Sequence, residues 1–203
     1  ESTNSSVSNQ TKLIGIFSVG RVRASIYPTT GFTLNLKSVD SYLAKAMSIN
    51  TKLQYFEKYE AGWNEHNPEQ VMEQFVEGGT YYDPNVGEQI QGQEIADYVA
   101  GTVNGFPDLN FEMGRTVTSD EGDEVVLIAE WVMHGTHTGT LEGLPPTGNT
   151  IAVEGIDVVT ISDDGITSIK GYFDTQAMAT QLGLTFPTII GQLPKLAVGA
   201  IKQ

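Results

Sequence analysis

The amino-acid sequence predicts an α+β domain in which helices lie across one curved sheet. Three observations predict it: helix patterns dominate residues 51–106 around one short strand, strand patterns joined by tight turns dominate 109–173, and a short capped helix pattern follows at 175–182. Near the start, "KLIGIFSV" (12–19) reads as a strand, and "SVDSYLAKAM" (38–47) reads as a short helix capped by Ser38. Leu53, Phe56, Tyr59/Glu60 and Trp63 then recur at helical spacing through "KLQYFEKYEAGW". In "NPEQVMEQF", Asn67 is an N-cap, Pro68 takes the first helical position and Gln70 follows three residues after the cap. "TYYDP" (80–84) is a short strand stopped by proline, and "GQEIADYVAGTVNGF" (92–106) is a helix. "LNFEMGRTVTS" (109–119) and "EVVLIAEWVMHGTHTG" (124–139) flank the turn "DEGD"; "TIAVEGIDVVTIS" (150–162) and "ITSIKGYF" (166–173) flank "DDG". These pairs predict an antiparallel meander. The last helix, 175–182, ends at Gly183, a C-cap glycine.

A chain of 203 residues fits one domain with extensions. Charge divides it into a basic, Ser/Thr-rich segment 1–50 (net +3), an acidic body 51–184 (net −19) and an apolar segment 185–203 (net +2). The acidic body repels phosphate backbones, so nucleic-acid binding is not expected. No apolar run approaches 18 residues, so no membrane span is expected. Cysteine is absent, which excludes disulfides, thiolate metal sites and a cysteine nucleophile. The first segment has the composition of an organellar transit peptide. Asn4 and Asn9 fit the glycosylation pattern. A cytoplasmic location is expected, with organellar and secreted locations left open. "TFPTIIGQLPKLAVGAIKQ" (185–203) is too broken by proline for a long helix. It is expected to cover the mouth of the domain, pair with the basic first segment, or dock on a second subunit. No G-x-S-x-G, Walker loop or G-x-G-x-x-G occurs, so nucleophilic hydrolysis, nucleotide use and nicotinamide binding have no support.

The pieces "GWNEHNPEQV", "YYDP", "NGFPDLNFEM", "EWVMHGTHTGTLEGLPPTG", "VEGIDVVTISDDGI" and "FDTQAMATQLGL" stand in the order and spacing of a known family. Residues from about 52 to 184 resemble the SnoaL-like polyketide cyclases, within the nuclear transport factor 2-like superfamily. The resemblance implies a cone-shaped, curved antiparallel sheet with N-terminal helices packed over its concave face, enclosing one apolar pocket. It implies a cofactor-free cyclase or isomerase-like enzyme doing acid/base chemistry on a hydrophobic, polyketide-like carbonyl compound. The alternative is a non-catalytic small-molecule carrier or sensor using the same pocket. Dimers through the outer sheet face are common in the superfamily, so the resemblance also admits a homodimer.

Asp174 is the leading candidate for proton transfer. Read from the residues alone, it is either an N-cap or an acid at a strand end whose basicity rises inside an apolar pocket. The family's acid/base aspartate before "QLG" falls on Asp174. The family's histidine on the preceding strand falls on about Ile169, so that imidazole is missing. His134 and His137 form a His-x-x-His pair, but positions three apart on a strand face opposite sides and no third ligand is suitably spaced. No metal site is therefore expected. His137 shares parity with Trp131 and Met133. It either assists Asp174 by polarising a carbonyl or bonds to backbone at the Gly135–Gly139 bend. Tyr172 is a further donor or a rim aromatic. Trp63, Asn64, Asp83, Trp131 and Met133 complete the expected ligand-binding set. For Asn64 and His66 the plainer reading is a helix-end polar cluster, and for Asp83 a turn before proline.

Overall fold

The computed structural model describes residues 16–18, 21–23 and 36–201. Two three-residue strands, β1 (Ile16–Ser18) and β2 (Arg21–Arg23), pair with each other. The remainder of the strand expected at 12–19, together with Asn4 and Asn9, lies outside the described residues. The domain then runs α1 (Leu36–Asn64), α2 (Pro68–Met72), β3 (Phe75–Tyr82), β4 (Ile90–Gln91), α3 (Gln93–Gly105), β5 (Asn110–Asp120), β6 (Val125–Thr136), β7 (Thr150–Ile161), β8 (Ile166–Phe173), α4 (Thr175–Gln181) and α5 (Ile189–Ile201).

The two helices expected at 38–47 and through 53–63 are one. No glycine or proline stands between residues 36 and 61, so nothing in the backbone breaks α1 where the charge changes. Ala46, Ile49, Leu53, Phe56, Tyr59 and Trp63 form its buried stripe. Its end is specified by a left-handed residue, His66 (φ 55°). The Asn67 N–H reaches the Gly62 carbonyl and the His66 N–H reaches that of Trp63, the paired bonds of a Schellman motif. Asn67 then opens α2 by accepting from the Gln70 N–H, with Pro68 at the first position.

Six strands form one curved sheet in the order β4-β3-β8-β7-β6-β5. From β5 to β8 it is the expected antiparallel meander, turned at 121–124 and 162–165. One pairing differs: β3 joins β8 in parallel, with Tyr81 beside Ile169 and Tyr82 beside Lys170. A parallel neighbour needs a long connection, and here the whole of β4 to β7 supplies it. The strand expected at "TYYDP" also begins earlier, at Phe75. The sheet does not close into a barrel, since β4 and β5 remain edges. Helix α1 crosses the concave face and is fixed at the turns. Lys52 is 3% exposed; its ammonium donates to the Asp123 carbonyl and pairs with Asp163 at 3.3 Å.

The C-terminal segment, expected to be too broken for a long helix, forms the 13-residue helix α5. Pro187 precedes α5, and Pro194 lies inside it, where the main cost is the bond lost to the Ile190 carbonyl. Ile190, Leu193 and Val198 on α5 are more than half exposed. Among the described residues no helix is long and apolar enough to cross a membrane.

Candidate active site

Strand alternation decides what faces the concave side. On β6 the inward positions are Val125, Leu127, Ala129, Trp131 and Met133; on β7 they include Val153, Gly155, Asp157, Val159 and Ile161. An acid therefore stands in a row of core positions. Asp157 is 7% exposed, and its cross-strand neighbours are Ala129 on β6 and Gly171 on β8. Of these two, Gly171 lines the space beside the carboxyl. That space belongs to a cavity of about 230 Å³ between the sheet, α1, α3, α4 and the loop 137–149.

Asp157 and Asp83 flank the backbone of Gly171: a Cβ placed there would lie 3.2 Å from Asp157 Oδ1 and 3.2 Å from the Asp83 Cβ. Their surroundings differ. Asp83, 3% exposed, has both oxygens committed. Oδ2 accepts from the hydroxyls of Tyr81 (2.8 Å) and Tyr98 (2.6 Å), and Oδ1 accepts from the N–H groups of Asn85 and Val86. Asp157 has one donor, the Trp131 indole Nε1–H at 3.0 Å on Oδ1; Oδ2 has no hydrogen-bond partner among the described residues. Burial pushes the Asp157 carboxyl up to about 7, against the indole hydrogen bond and with help from the Asp83 charge. Burial also raises Tyr59, Tyr81 and Tyr98 well above their usual value, so they remain neutral donors.

Gly155 makes the indole placement possible. A Cβ there would fall 2.3 Å from the Trp131 ring, so only glycine lets the indole lie flat along β7 and reach Asp157. Trp131 is held edge-on by Phe111, with ring centroids 5.3 Å apart, and Trp63 meets Phe111 at 5.4 Å.

The sequence candidates separate into two groups. Trp63, Asp83, Trp131 and Met133 line the cavity. Asp174, Tyr172, Asn64 and His137 are not among its lining residues, and each has a physical reason. Asp174 is exposed and caps α4, its Oδ1 accepting from the N–H groups of Gln176 and Ala177 at 2.9 Å. Gly171 and Phe173 face inward, so Tyr172 between them points outward and is 48% exposed. Asn64 pairs through both its amide atoms with the Phe111 backbone, covering the β5 edge. His66 donates to the Leu109 carbonyl. His137 lies fully buried behind Phe106, ring centroids 5.3 Å apart. Its Nδ1 accepts from the Thr147 N–H, which leaves the ring proton on Nε2. Burial lowers its pKa, and the imidazole stays neutral. His134 sits on the outer face near Glu112. Among the described residues, no three His, Asp or Glu side chains gather as a metal site needs.

Asp174→Ala is expected to cost about 1 kcal/mol of stability, the usual value of an N-cap, and to leave ligand turnover unchanged. Urea unfolding beside an activity assay checks this. A collapse of turnover in a folded variant would return Asp174 to the reaction.

Asp157 was legible as an anomaly. It shares parity with Val153, Val159 and Ile161 in "VEGIDVVTI", so regular alternation places a carboxyl on the core face. Tyr81 and Tyr98 carried no comparable signal, because their meeting at Asp83 depends on α3 packing beside β3.

The family model for SnoaL-like polyketide cyclase matches residues 54–182, the stretch that supplies every residue lining this cavity except Leu184. The chain belongs to the SnoaL-like polyketide cyclase family. No curated protein matches this SnoaL-like chain. Solved structures share its fold. TsrD from Streptomyces laurentii is 24% identical, covering 66% of this chain and 96% of its own, with a TM-score of 0.54. A protein of ketosteroid isomerase-like fold from Catenulispora acidiphila, in complex with trimethylamine, is also 24% identical, with 64% and 93% covered and a TM-score of 0.52. A phenazine biosynthesis-related protein from Pseudomonas aeruginosa is 16% identical, with 70% and 86% covered and a TM-score of 0.55.

Proposed function

We propose that this SnoaL-like protein is a cyclase- or isomerase-type enzyme that moves a proton on a hydrophobic carbonyl compound, and that Asp157 carries the proton. One observation supports this above the others: a buried carboxyl with a pKa of about 7 presents an uncommitted oxygen to an apolar cavity. Such a group is half ionised at neutral pH, the condition in which one residue both accepts and returns a proton efficiently.

In the proposed reaction the ionised Oδ2 takes a proton from the carbon next to the substrate carbonyl. The C–H electron pair becomes the enolate double bond, and the carbonyl oxygen takes the negative charge. The enolate carbon then either recovers the proton at another position or attacks a second carbonyl of the same molecule. In the second case a C–C bond forms, and Asp157 returns its proton to the new alkoxide. Asn85 lines the same cavity; one of its amide hydrogens serves Tyr98, and the other is a donor for the developing oxygen charge. Asp83 stays in place throughout, because its four donors leave it nothing further to accept. Its charge keeps Asp157 basic.

Deuterium exchange at the α-carbons of 2-tetralone in heavy water, followed by NMR, tests the reading. Exchange is expected to exceed the buffer rate and to rise with pH through an inflection near 7. Binding of 2-tetralone without exchange would overturn it in favour of a carrier or sensor.

A further inference from the structure

The charged residues lining the cavity are all of one sign. Glu60, Asp83, Glu142 and Asp157 line it, with no Lys, Arg or His among the lining residues. The rest of the wall is aromatic and aliphatic, with Tyr59, Trp63, Trp131 and Phe173 among its rings. Glu142 and Thr175, both exposed, mark the rim, while Asp83 and Asp157 stand on the inner wall. Glu142 holds a left-handed backbone (φ 47°) and Gly143 follows at φ 81°. Leu141 and Leu144 bridge across them, so the turn is the tight type that favours Asn-Gly over Glu-Gly. The chain thus keeps a glutamate at the rim in a conformation that Asn or Asp adopts more readily.

We propose that the cavity selects ligands whose apolar body carries a positively charged nitrogen, either a protonated amine or a quaternary ammonium. The proposal rests on the reading above for the location of the site and adds the class of molecule it takes. Aromatic faces and carboxylates attract the same group, a diffuse organic cation. A metal ion does not fit this wall, since it needs several free oxygen ligands and Asp83 has none left. Asp83 contributes its field, and Asp157 contributes Oδ2 as the contact. The acidic body, net −19 over residues 51–184, draws cations toward the mouth. An anionic ligand would face four carboxyls with no cation to offset it.

Binding and chemistry then reinforce each other. A positive nitrogen beside Asp157 favours its ionised form, so the ligand turns its own base on. Near neutral pH a proton leaves the site as the cation enters. The titratable groups facing Asp157 are Asp83 from the loop after β3, Tyr59 from α1 and Tyr81 from β3. The tyrosines stay neutral over this range, and half-buried Glu60 also ionises above its ordinary value.

Benzyltrimethylammonium and its uncharged isostere 2,2-dimethylpropylbenzene provide the test, titrated into the full chain at pH 5.5 and pH 8 by calorimetry and NMR. The cation is expected to bind about tenfold tighter than the isostere at pH 8, and to lose about tenfold of that affinity at pH 5.5. Proton release should appear as a dependence of the binding heat on the buffer. Asp157→Asn should remove the pH dependence, and Glu142→Gln should weaken binding about twofold without touching it. Equal binding of the isostere, or cation binding indifferent to pH, overturns the proposal. Deuterium exchange into 2-tetralone reports separately on proton transfer, so either result can fail alone.

Discussion

Asp157→Asn is expected to remove proton transfer and, at alkaline pH, to make the protein more stable. The first effect is a fall in turnover of about a thousandfold, the usual contribution of a positioned general base. The second follows from linkage. In the folded protein the carboxyl keeps its proton up to about pH 7, whereas in the unfolded chain it loses it near 3.8. Between those values the native state binds more protons than the unfolded one, so stability falls as pH rises. By pH 8 the ionised, buried carboxylate costs about 4 kcal/mol relative to an ordinary one. Asparagine carries no charge and escapes this cost. Urea unfolding of both proteins from pH 4 to pH 8 measures it: the gap in stability should open as pH rises, in the variant's favour. Parallel curves would mean that Asp157 titrates as an exposed aspartate does.

Gly155→Ala is expected to destabilise the protein by about 3 kcal/mol, at the upper end of overpacking effects. The new methyl would meet three atoms of the Trp131 ring, all within 2.8 Å. The indole has no easy retreat, because Phe111 stands edge-on against it and Phe173 packs at 6.0 Å between centroids. If the ring tilts, its N–H leaves Asp157. That hydrogen bond favours the ionised carboxylate, so its loss should also move the inflection of the pH–rate profile upward. Trp131→Phe separates the two effects, since it removes the N–H while keeping an aromatic ring. A Gly155→Ala protein with wild-type stability and an unmoved profile would show that the indole placement does not matter.

Most elements were legible because their ends are written in short-range chemistry. Asn67 and Pro68 start α2, Gly183 (φ 74°) follows α4, and the turns at 121–124 and 162–165 set the hairpins. What escaped is long-range. Nothing local says that β3 lies parallel to β8, or that charge can change sign along one uninterrupted α1. The site divides in the same way. Trp131 and Met133 could be placed on the inward face from strand parity. Asp174 drew attention because it ends a strand, but an acid at that point also begins a helix, and the backbone N–H groups of Gln176 and Ala177 claim it. Asp157 lay in the middle of a strand, where an acid is read past because the strand around it is so regular.

The buried ammonium of Lys52 has a consequence for how the molecule assembles. It joins residues 71 and 111 positions away, one in each of the two turns of the meander. Neither turn alone can compensate for stripping water from that charge. The long helix therefore gains little by settling before both hairpins are closed, and the three pieces are bound to arrive together. A chain caught with only one hairpin made would hold α1 loosely, its aromatic stripe still open to water.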